Sequence, residues 1–483
     1  MTFRTPEQYL ESLRDGRRVY SGGELIDDLT THPRTRARAA KQADAFSAFH
    51  DERREIFVQE DPETGEEVDR FMVAPRNAED LLARARAIDF GMRYGGPSFG
   101  SDAILSLRWV APELAKHNPQ YYENIETAFR EARQNNHTMS IVMSDTKGDR
   151  SLHPSQQGDP DLYVRKVDEN ADGIVIRGMK AHITGAGFAD QLIVLPTKRM
   201  RDDEPEYSIA CMVPPNAPGV RMVERWDYDD VSRFDHPLAY EGIGGECFVW
   251  FDDVFVPHNR VFQNGENELA GPIAYALGLW QRYSAMCYKK PTLEILAGAA
   301  ALAAEYLGIE KAGHIQDKLF EFAITASSID AFIHAAAVSC EVRDGVAIPN
   351  ETITNVGKYT FASKYHDLVK HLLDISGAIV STAPMEADYR HEDLHGAFDK
   401  YLASGHGDDG QERLRLWNLI RDLGADAMGG HKAVLALHAE GSLSAQKMMT
   451  MRGYDFESAK QYVRELAGIT PPLGKYAPVP PAL

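Results

Sequence analysis

The spacing of apolar residues changes twice along this 483-residue chain, and these changes constrain the fold more than any other feature. Up to about residue 140 the apolar residues recur at helical spacing, as Leu81, Leu82, Ala85 and Ile88 do. Between residues 141 and 272, short alternating runs are separated by Gly, Pro, Asn and Asp turns, which predicts an antiparallel barrel or sandwich. The helical period then returns in four long stretches, at 283–307, 314–343, 350–376 and 414–436.

This order predicts an α+β protein of three domains. The N-terminal α-helical domain is expected over residues 1–140, and a central antiparallel β domain over 141–272. A C-terminal four-helix-bundle domain is expected over 273–483, where the Pro-rich end is predicted to form an extended tail.

Charge and cysteine content exclude several classes of function. The formal net charge of -20 argues against partners such as nucleic acid or anionic lipid, because a protein that binds either one needs a basic surface. The apolar stretch at 293–306 is too short to span a membrane and is expected to be a buried helix. The four cysteines form no C-x-x-C pair, so no metal site is expected. Scattered cysteines and an N-terminus without an apolar signal segment predict a cytoplasmic protein.

Six stretches together resemble one flavoprotein family. They are EQYLESLRDGRRVY at 7–20, DTKGDR at 145–150, DPDLYVR at 159–165, DGIVIRGMKAHITG at 172–185, FDDVFVPHNRVF at 251–262 and GSLS at 441–444. The set is similar to the 4-hydroxyphenylacetate 3-hydroxylase family. That family includes reduced-flavin-dependent phenol monooxygenases and 4-hydroxybutyryl-CoA dehydratases, which carry flavin and a [4Fe–4S] cluster. The resemblance implies an acyl-CoA-dehydrogenase-like fold, FAD as cofactor and a homotetramer.

Three of these stretches are expected to hold the flavin. The loop at 145–150 can present N–H donors and a cation to a flavin ring or phosphate, although an isolated loop of this kind is more often an ordinary turn. Thr184 can place a hydroxyl against a flat ligand, or simply end a strand. The stretch at 441–444 resembles the family's C-terminal flavin-contacting loop, or forms a helix cap. The expected flavin-binding residues are Ile141, Val142, Met143, Lys147, Gly148, Asp149, Arg150, Thr184, Gly441, Ser442, Leu443 and Ser444.

The family's known catalytic sets are missing. The resemblance places the dehydratase cluster ligands at Tyr94, Ser98, Gln281 and Tyr288, and none of these side chains replaces thiolate or imidazole in an iron–sulfur site. A shift of one residue would bring Cys287 to the last position but would not restore the other three ligands. The positions of the hydroxylases' phenol-binding Arg, Tyr and His fall near Gly95 or Gly96, near Ser98 or Phe99, and at Ile141. A substrate other than 4-hydroxyphenylacetate, or one held by other groups, is therefore expected.

Other residues are candidates for the catalytic role. Arg282 can pair with an anionic group through its rigid fork of donors, or form a salt bridge within the helical region. His182 can act as an acid or base near neutral pH, although a lone strand histidine is more often structural. The expected catalytic residues are Arg93, Tyr94, His182, Gln281, Arg282 and Tyr283, and His137 and Tyr288 are further candidates.

The leading functional hypothesis is the oxygenase component of a two-component monooxygenase. A separate flavin reductase would supply FADH2, molecular oxygen would form the flavin C4a-hydroperoxide, and an aromatic, phenolic substrate would be hydroxylated. The sequence has no G-x-G-x-x-G stretch after a strand, so NAD(P)H is not expected to bind this chain. This agrees with a separate reductase that uses NAD(P)H. Two alternatives stay open. One is a cluster-free flavin enzyme acting on a CoA thioester as dehydratase, isomerase or dehydrogenase, and the other is a non-catalytic flavin-binding member.

Overall fold

A computed structural model describes residues 3–97, 100–226, 228–229, 231–242, 245–403 and 409–469. The helices are α1 (Pro6–Ser12), α2 (Arg36–Ser47), α3 (Arg54–Phe57), α4 (Ala78–Tyr94), α5 (Asp102–His117), α6 (Pro119–Gln134), α7 (Pro237–Tyr240), α8 (Asn267–Tyr306), α9 (Gly313–Val338), α10 (Glu351–Ser376), α11 (Glu386–Tyr389), α12 (His395–Leu402), α13 (Gly410–Gly424), α14 (Ala427–His438), α15 (Leu443–Gly453) and α16 (Phe456–Leu466). The strands are β1 (Val19–Ser21), β2 (Glu24–Leu25), β3 (Val58–Glu60), β4 (Glu67–Asp69), β5 (Met139–Val142), β6 (Arg165–Glu169), β7 (Gly173–Thr184), β8 (Gln191–Val194), β9 (Ile209–Val213), β10 (Val220–Arg225), β11 (Glu246–Pro257), β12 (Val261–Asn264), β13 (Glu341–Arg343) and β14 (Val346–Ile348).

The central β region consists of two sheets. One has six strands in the order β2-β1-β10-β11-β7-β6, and the other has four in the order β12-β9-β8-β5. Most pairings are antiparallel, as the alternating runs predict, but β1 pairs with β10 and β5 pairs with β8 in parallel. The first parallel pair arises because the N-terminal region, predicted to be mostly helical, contributes β1 and β2 to the larger sheet.

The C-terminal region is helical, with differences from the predicted stretches. Helix α8 begins at Asn267, earlier than the stretch predicted from residue 283. Helix α9 ends at Val338 and is followed by the β13–β14 hairpin, so the stretch predicted to reach residue 343 is shorter. The stretch predicted at 414–436 is broken into α13 and α14, because the Asp426 carboxylate accepts hydrogen bonds from the backbone N–H groups of Met428 and Gly429 and starts a new helix.

The helical and β regions share one core. Buried side chains form a continuous cluster that includes Ile88 of α4, Val249 of β11 and Leu296 of α8. Helix α9 is long and apolar enough to meet the length and composition criteria for a membrane span. It packs against α8 and α10, however, and buries Phe322, Ile329 and others at that contact, which is how a bundle helix behaves.

Candidate active site

The end of β7 presents two polar side chains next to an open turn. Alternation along the strand leaves His182 and Thr184 on its exposed face. Thr184 pairs in register with Glu246 of β11, and its hydroxyl donates to the two Glu246 carboxylate oxygens at 2.9 and 3.1 Å. Gly185 has a left-handed φ of 69°, and a Cβ there would meet nothing within 4 Å. This strand end can therefore accept a flat ligand.

The loop at 145–150 and the C-terminal end of α14 approach the same strand end. Partial burial lowers the pKa of His182, and the positive charges of Lys147 and His438 lower it further. Partial burial also lowers the pKa of Lys147, with Arg150 adding like-charge repulsion. The lowered pKa favours the neutral imidazole of His182, which can accept or donate a hydrogen bond.

Other residues predicted to hold flavin have structural contacts. Val142 is buried in β5, while Ile141 and Met143 are half-buried. Within the loop, Asp149 accepts from the Ser151 backbone N–H at 2.9 Å, and a Cβ at Gly148 would lie 2.4 Å from the Gln157 Oε1 atom. The loop is therefore fixed by its own contacts.

The bundle side of the site is organised by Arg282 of α8. Its Nε donates to the Glu440 carbonyl at 3.0 Å, and its Nη1 donates to Asn355 Oδ1 of α10 at 3.1 Å. Gly441 has a φ of 99°, and a Cβ there would lie 3.0 Å from Arg282 Nη2. Ser442 then caps α15 by accepting from the Ala445 N–H at 3.3 Å. Arg282 thus fixes the start of the predicted flavin loop.

A buried carboxylate stands immediately before that loop. The Glu440 side chain is 7% exposed, and one of its oxygens accepts a hydrogen bond from the Tyr288 hydroxyl. Its other oxygen forms an ion pair with Lys289 Nζ and lies 3.6 Å from Lys358 Nζ. Lys289 Nζ also donates to the Tyr288 hydroxyl at 3.2 Å. We call Tyr288, Lys289, Lys358 and Glu440 the Glu440 cluster.

Burial dominates the proton affinities of the Glu440 cluster. It raises the pKa of Glu440 well above the usual carboxyl range, and the negative charge of Glu246 raises it further, whereas Arg282 opposes this shift. Burial likewise lowers the pKa of Lys289 well below the usual range and that of Lys358 to about 8. Glu246 of the strand side is therefore close enough to Glu440 for their charges to interact. A carboxyl and an amine with converging proton affinities can exchange a proton.

Backbone conformation agrees with this location. Six non-glycine residues have positive φ in the described part of the chain, and three of them, Lys147, His182 and Glu440, lie in this site. Such conformations cost free energy, and they concentrate where function requires a fixed geometry.

The structure gathers some of the predicted catalytic residues and disperses others. His182 and Arg282 lie in the site, and Gln281 is half-buried on α8 beside Arg282. Arg93 instead pairs with Asp89 and Glu294 at the surface. Tyr94 is 63% exposed.

The remaining aromatic and histidine candidates are also accounted for. Tyr283 is buried, and its hydroxyl lies 3.4 Å from the Leu81 carbonyl of α4. His137 lines a separate cavity of about 20 Å³ near Asp69. Ser98 and Phe99 lie outside the described residues.

Sequence reasoning missed Glu440, Lys289, Lys358 and Glu246. Charged residues in helical and turn contexts are normally solvated, so their burial gives no sequence signal. One signal was available, because Glu440 directly precedes the GSLS stretch.

Two family models match almost the whole chain. The model described as 4-hydroxyphenylacetate 3-hydroxylase N terminal matches residues 5–263, and the one described as 4-hydroxyphenylacetate 3-hydroxylase C terminal matches residues 270–468. The chain belongs to the 4-hydroxyphenylacetate 3-hydroxylase family. The family and the mixed helix-and-sheet fold implied by the sequence resemblance are therefore confirmed, and the chain is a flavoprotein of an enzymatic family.

Relatives from both branches of this family cover the chain. A 4-hydroxybutyryl-CoA dehydratase/vinylacetyl-CoA-Delta-isomerase from Clostridium aminobutyricum is 29% identical, with 96% of this chain and 99% of that protein aligned. The oxygenase component of 4-hydroxyphenylacetate 3-monooxygenase from a Geobacillus strain is 26% identical, covering 96% of each.

Solved structures similar to this chain also come from both branches of the family. A 4-hydroxybutyryl-CoA dehydratase from N. maritimus superposes with a TM-score of 0.90 at 29% identity, covering 99% of this chain and 97% of that one. A 4-hydroxyphenylacetate 3-monooxygenase oxygenase component, complexed with FAD and 4-hydroxyphenylacetate, superposes with a TM-score of 0.88 at 26% identity, covering 96% and 98%.

The residues of this chain fit a flavin of that kind. The open left-handed turn at Gly185 leaves room beside the Thr184 hydroxyl, and Arg282 holds the carbonyl of Glu440, which directly precedes the Gly441–Ser442 turn. The side chains expected at the positions of cluster ligands, among them Tyr94, Gln281 and Tyr288, offer no thiolate or imidazole, and Tyr288 bonds Glu440.

Proposed function

We propose that this chain is an FAD-dependent enzyme that uses Glu440 to move a proton at the carbon next to the carbonyl of an acyl-CoA thioester. One observation carries the proposal, namely a buried carboxylate with a raised pKa placed directly before the predicted flavin loop. A buried carboxyl group with a raised pKa is suited to general acid–base catalysis.

The roles of the residues follow from their contacts. FAD, when bound, supplies a two-electron acceptor next to the substrate. Glu440 takes the proton from the activated carbon. Lys289 donates a hydrogen bond to one Glu440 oxygen and the Tyr288 hydroxyl donates to the other, so both oxygens are held in fixed positions. Arg282 holds the backbone of Glu440 in place.

A thioester substrate is supported by the comparisons and by the acidity of the C–H bond next to a thioester carbonyl. The Clostridium aminobutyricum relative acts on 4-hydroxybutyryl-CoA by its name, and a solved dehydratase superposes over nearly the whole chain. A thioester carbonyl acidifies the adjacent C–H bond, which is the bond that a carboxylate next to a flavin is placed to break. Because the cluster ligands are replaced, the proposed chemistry proceeds without an iron–sulfur cluster.

Exchange of the α-proton tests the proposal. The purified protein with FAD is incubated anaerobically in D2O with a panel of saturated and 4-hydroxylated acyl-CoA thioesters, and deuterium incorporation is followed by mass spectrometry. We expect exchange in the wild type, a loss of about 10²–10⁴-fold in Glu440→Gln, and partial retention in Glu440→Asp. Glu321→Gln removes a surface carboxylate that pairs with Lys364 and is the control. Exchange that survives in Glu440→Gln, or no exchange with any thioester, contradicts the proposal.

The second candidate is the oxygenase component of a two-component monooxygenase. It is favoured by two relatives named as oxygenase components of 4-hydroxyphenylacetate and 4-nitrophenol monooxygenases and by one named as an FADH2-dependent monooxygenase, at 26–27% identity. An aromatic substrate, molecular oxygen and a separate flavin reductase would then be required. Anaerobic titration with FADH2 followed by rapid mixing with oxygen separates the candidates. A long-lived absorbing species before flavin reoxidation supports the oxygenase, and direct reoxidation with tighter binding of oxidised FAD contradicts it.

Homotetrameric assembly and a cytoplasmic location stay predictions. Exposed apolar side chains on α15 and α16, such as Met451, Tyr462 and Leu466, support assembly through the C-terminal helices. Sedimentation of the purified protein tests the oligomeric state.

A further inference from the structure

Three donor groups converge far from the Glu440 cluster. His236 lies in the connection between β10 and β11, Asp422 lies in α13, and Asp426 caps α14. Their ligand atoms all lie within 4.8 Å of one another. The site is at the opposite end of α14 from His438, so about 18 Å of helix separates it from the predicted flavin site.

One oxygen of each carboxylate is fixed in direction by the hydrogen bonds that the other oxygen accepts. Asp422 uses Oδ2 to accept from the Leu238 N–H at 2.8 Å, which leaves Oδ1 directed at His236. Asp426 uses Oδ1 to accept from the Met428 N–H at 3.0 Å and from the Tyr228 hydroxyl at 3.3 Å. Each carboxylate therefore presents one fixed oxygen to a common centre, as metal-binding carboxylates with supporting hydrogen bonds do.

The spacing of the donor atoms suits a cation. His236 Nδ1 lies 3.0 Å from Asp422 Oδ1 and 3.4 Å from Asp426 Oδ2. Ligands bonded at about 2.1 Å to one transition-metal ion stand about 3.0–3.4 Å apart, for angles between octahedral and tetrahedral. Asp426 Oδ2 is buried, and its contact with His236 Nδ1 at 3.4 Å is an ion pair rather than a well-formed hydrogen bond.

We propose that His236, Asp422 and Asp426 form a binding site for a divalent transition-metal ion that clamps the β10–β11 connection to the α13–α14 corner. One imidazole and two carboxylates favour Mn²⁺, Fe²⁺, Co²⁺ or Zn²⁺ over Mg²⁺, which prefers oxygen ligands alone. Solvent would complete the coordination, since His236 is 27% exposed. The proposal is independent of the reaction at Glu440.

One neighbouring charge acts against the ion. Lys432 of α14 lies close enough to Asp422 for their charges to attract. Its replacement by methionine removes a positive charge next to the site, so we expect Lys432→Met to bind the ion several-fold more tightly.

Direct binding measurements test the site on the full chain without an affinity tag. After treatment with chelator, the protein is titrated calorimetrically with MnCl2, ZnCl2 and MgCl2. We expect Mn²⁺ and Zn²⁺ to bind once per chain, and His236→Gln and Asp426→Asn each to weaken binding at least tenfold. His334→Gln is the matched control, because His334 stands 3.8 Å from Asp330 in an exposed histidine–aspartate pair.

A spectroscopic measurement on the wild type covers the case in which a variant fails to fold. Pulsed electron paramagnetic resonance of the Mn²⁺-loaded protein is expected to show coupling to one imidazole nitrogen. Absence of binding at about 1 mM ion, binding unchanged in both variants, or a Mn²⁺ signal without nitrogen coupling would overturn the proposal. In those cases a protonated His236 bridges the two carboxylates.

Discussion

Replacing Lys289 with methionine should cost far more stability than the same change at its neighbour. Lys289 is 5% exposed, and its ion pair with Glu440 is buried on both sides. Replacing Lys289 removes the buried partner of the Glu440 carboxyl, and breaking a buried pair in this way typically costs about 3–5 kcal/mol. Lys358 stays 3.6 Å from Glu440, so we expect the lower end, about 3 kcal/mol.

Lys290 provides the matched control. It follows Lys289 on the same helix but pairs with Asp330 at a partly exposed site, where side chains are 25% and 41% exposed. Such pairs contribute about 0–1 kcal/mol, so Lys290→Met should shift the urea midpoint only slightly.

The measurement is the urea midpoint of both variants by circular dichroism, at one protein and one FAD concentration. A double variant, Lys289→Met with Glu440→Gln, should recover part of the loss because the unpaired carboxylate is gone. Equal midpoints for the two single variants would refute the reasoning, because they would mean that the Glu440 cluster is solvated.

Other buried groups give further predictions. Burial raises the pKa of Asp69 to about 7, so folding favours its protonated form. The free energy of unfolding should therefore fall by up to roughly 4 kcal/mol as pH rises from about 4 to about 7. Urea unfolding at several pH values should show this fall in the wild type and a flatter dependence in Asp69→Asn. Burial opposes the charged form of Glu204, but backbone and side-chain hydrogen bonds outweigh it and lower its pKa to about 2. Glu204→Gln should therefore lower the free energy of unfolding by about 3 kcal/mol at pH 7 and hardly at all at pH 2. Equal losses at the two pH values would refute this account. Gly453→Ala should displace α15, because its Cβ would lie against Thr352 Oγ1, and calorimetric FAD titration should show weaker binding. In Gly430→Ala the Cβ meets nothing within 4 Å, so this variant should stabilise α14 by about 0.5–1 kcal/mol, which thermal unfolding measures.

The fold could be predicted largely because apolar periodicity is a local signal. Residues such as Leu81 and Ile88 indicate their helix through spacing alone. The break at Asp426 was missed because an apolar pattern continues through it, although its carboxylate caps a new helix. The pairing of β1 with β10 was missed because partners about 200 residues apart leave no local trace.

The site was predictable only where motifs are contiguous. Thr184 and Gly441 were singled out by stretches that resemble the family. The structure shows that Thr184 bonds Glu246 and that Arg282 holds the carbonyl of Glu440, next to Gly441, while their joint role in binding flavin stays a prediction. Glu440 and Lys289 are 151 positions apart and have the composition of solvated surface residues. Their burial is a tertiary effect, so only the packed structure reveals the pair.

The parallel pairing of β1 with β10 has a consequence for biosynthesis. Residues 19–21 leave the ribosome before about 200 further residues are made, and only then does their partner strand exist. Until that time the early segment has no sheet to join, and β10 in turn would have an open edge if the segment were lost. Removal of residues 1–25 should therefore yield aggregated rather than merely less stable protein, because the newly exposed strand edge can pair with other chains.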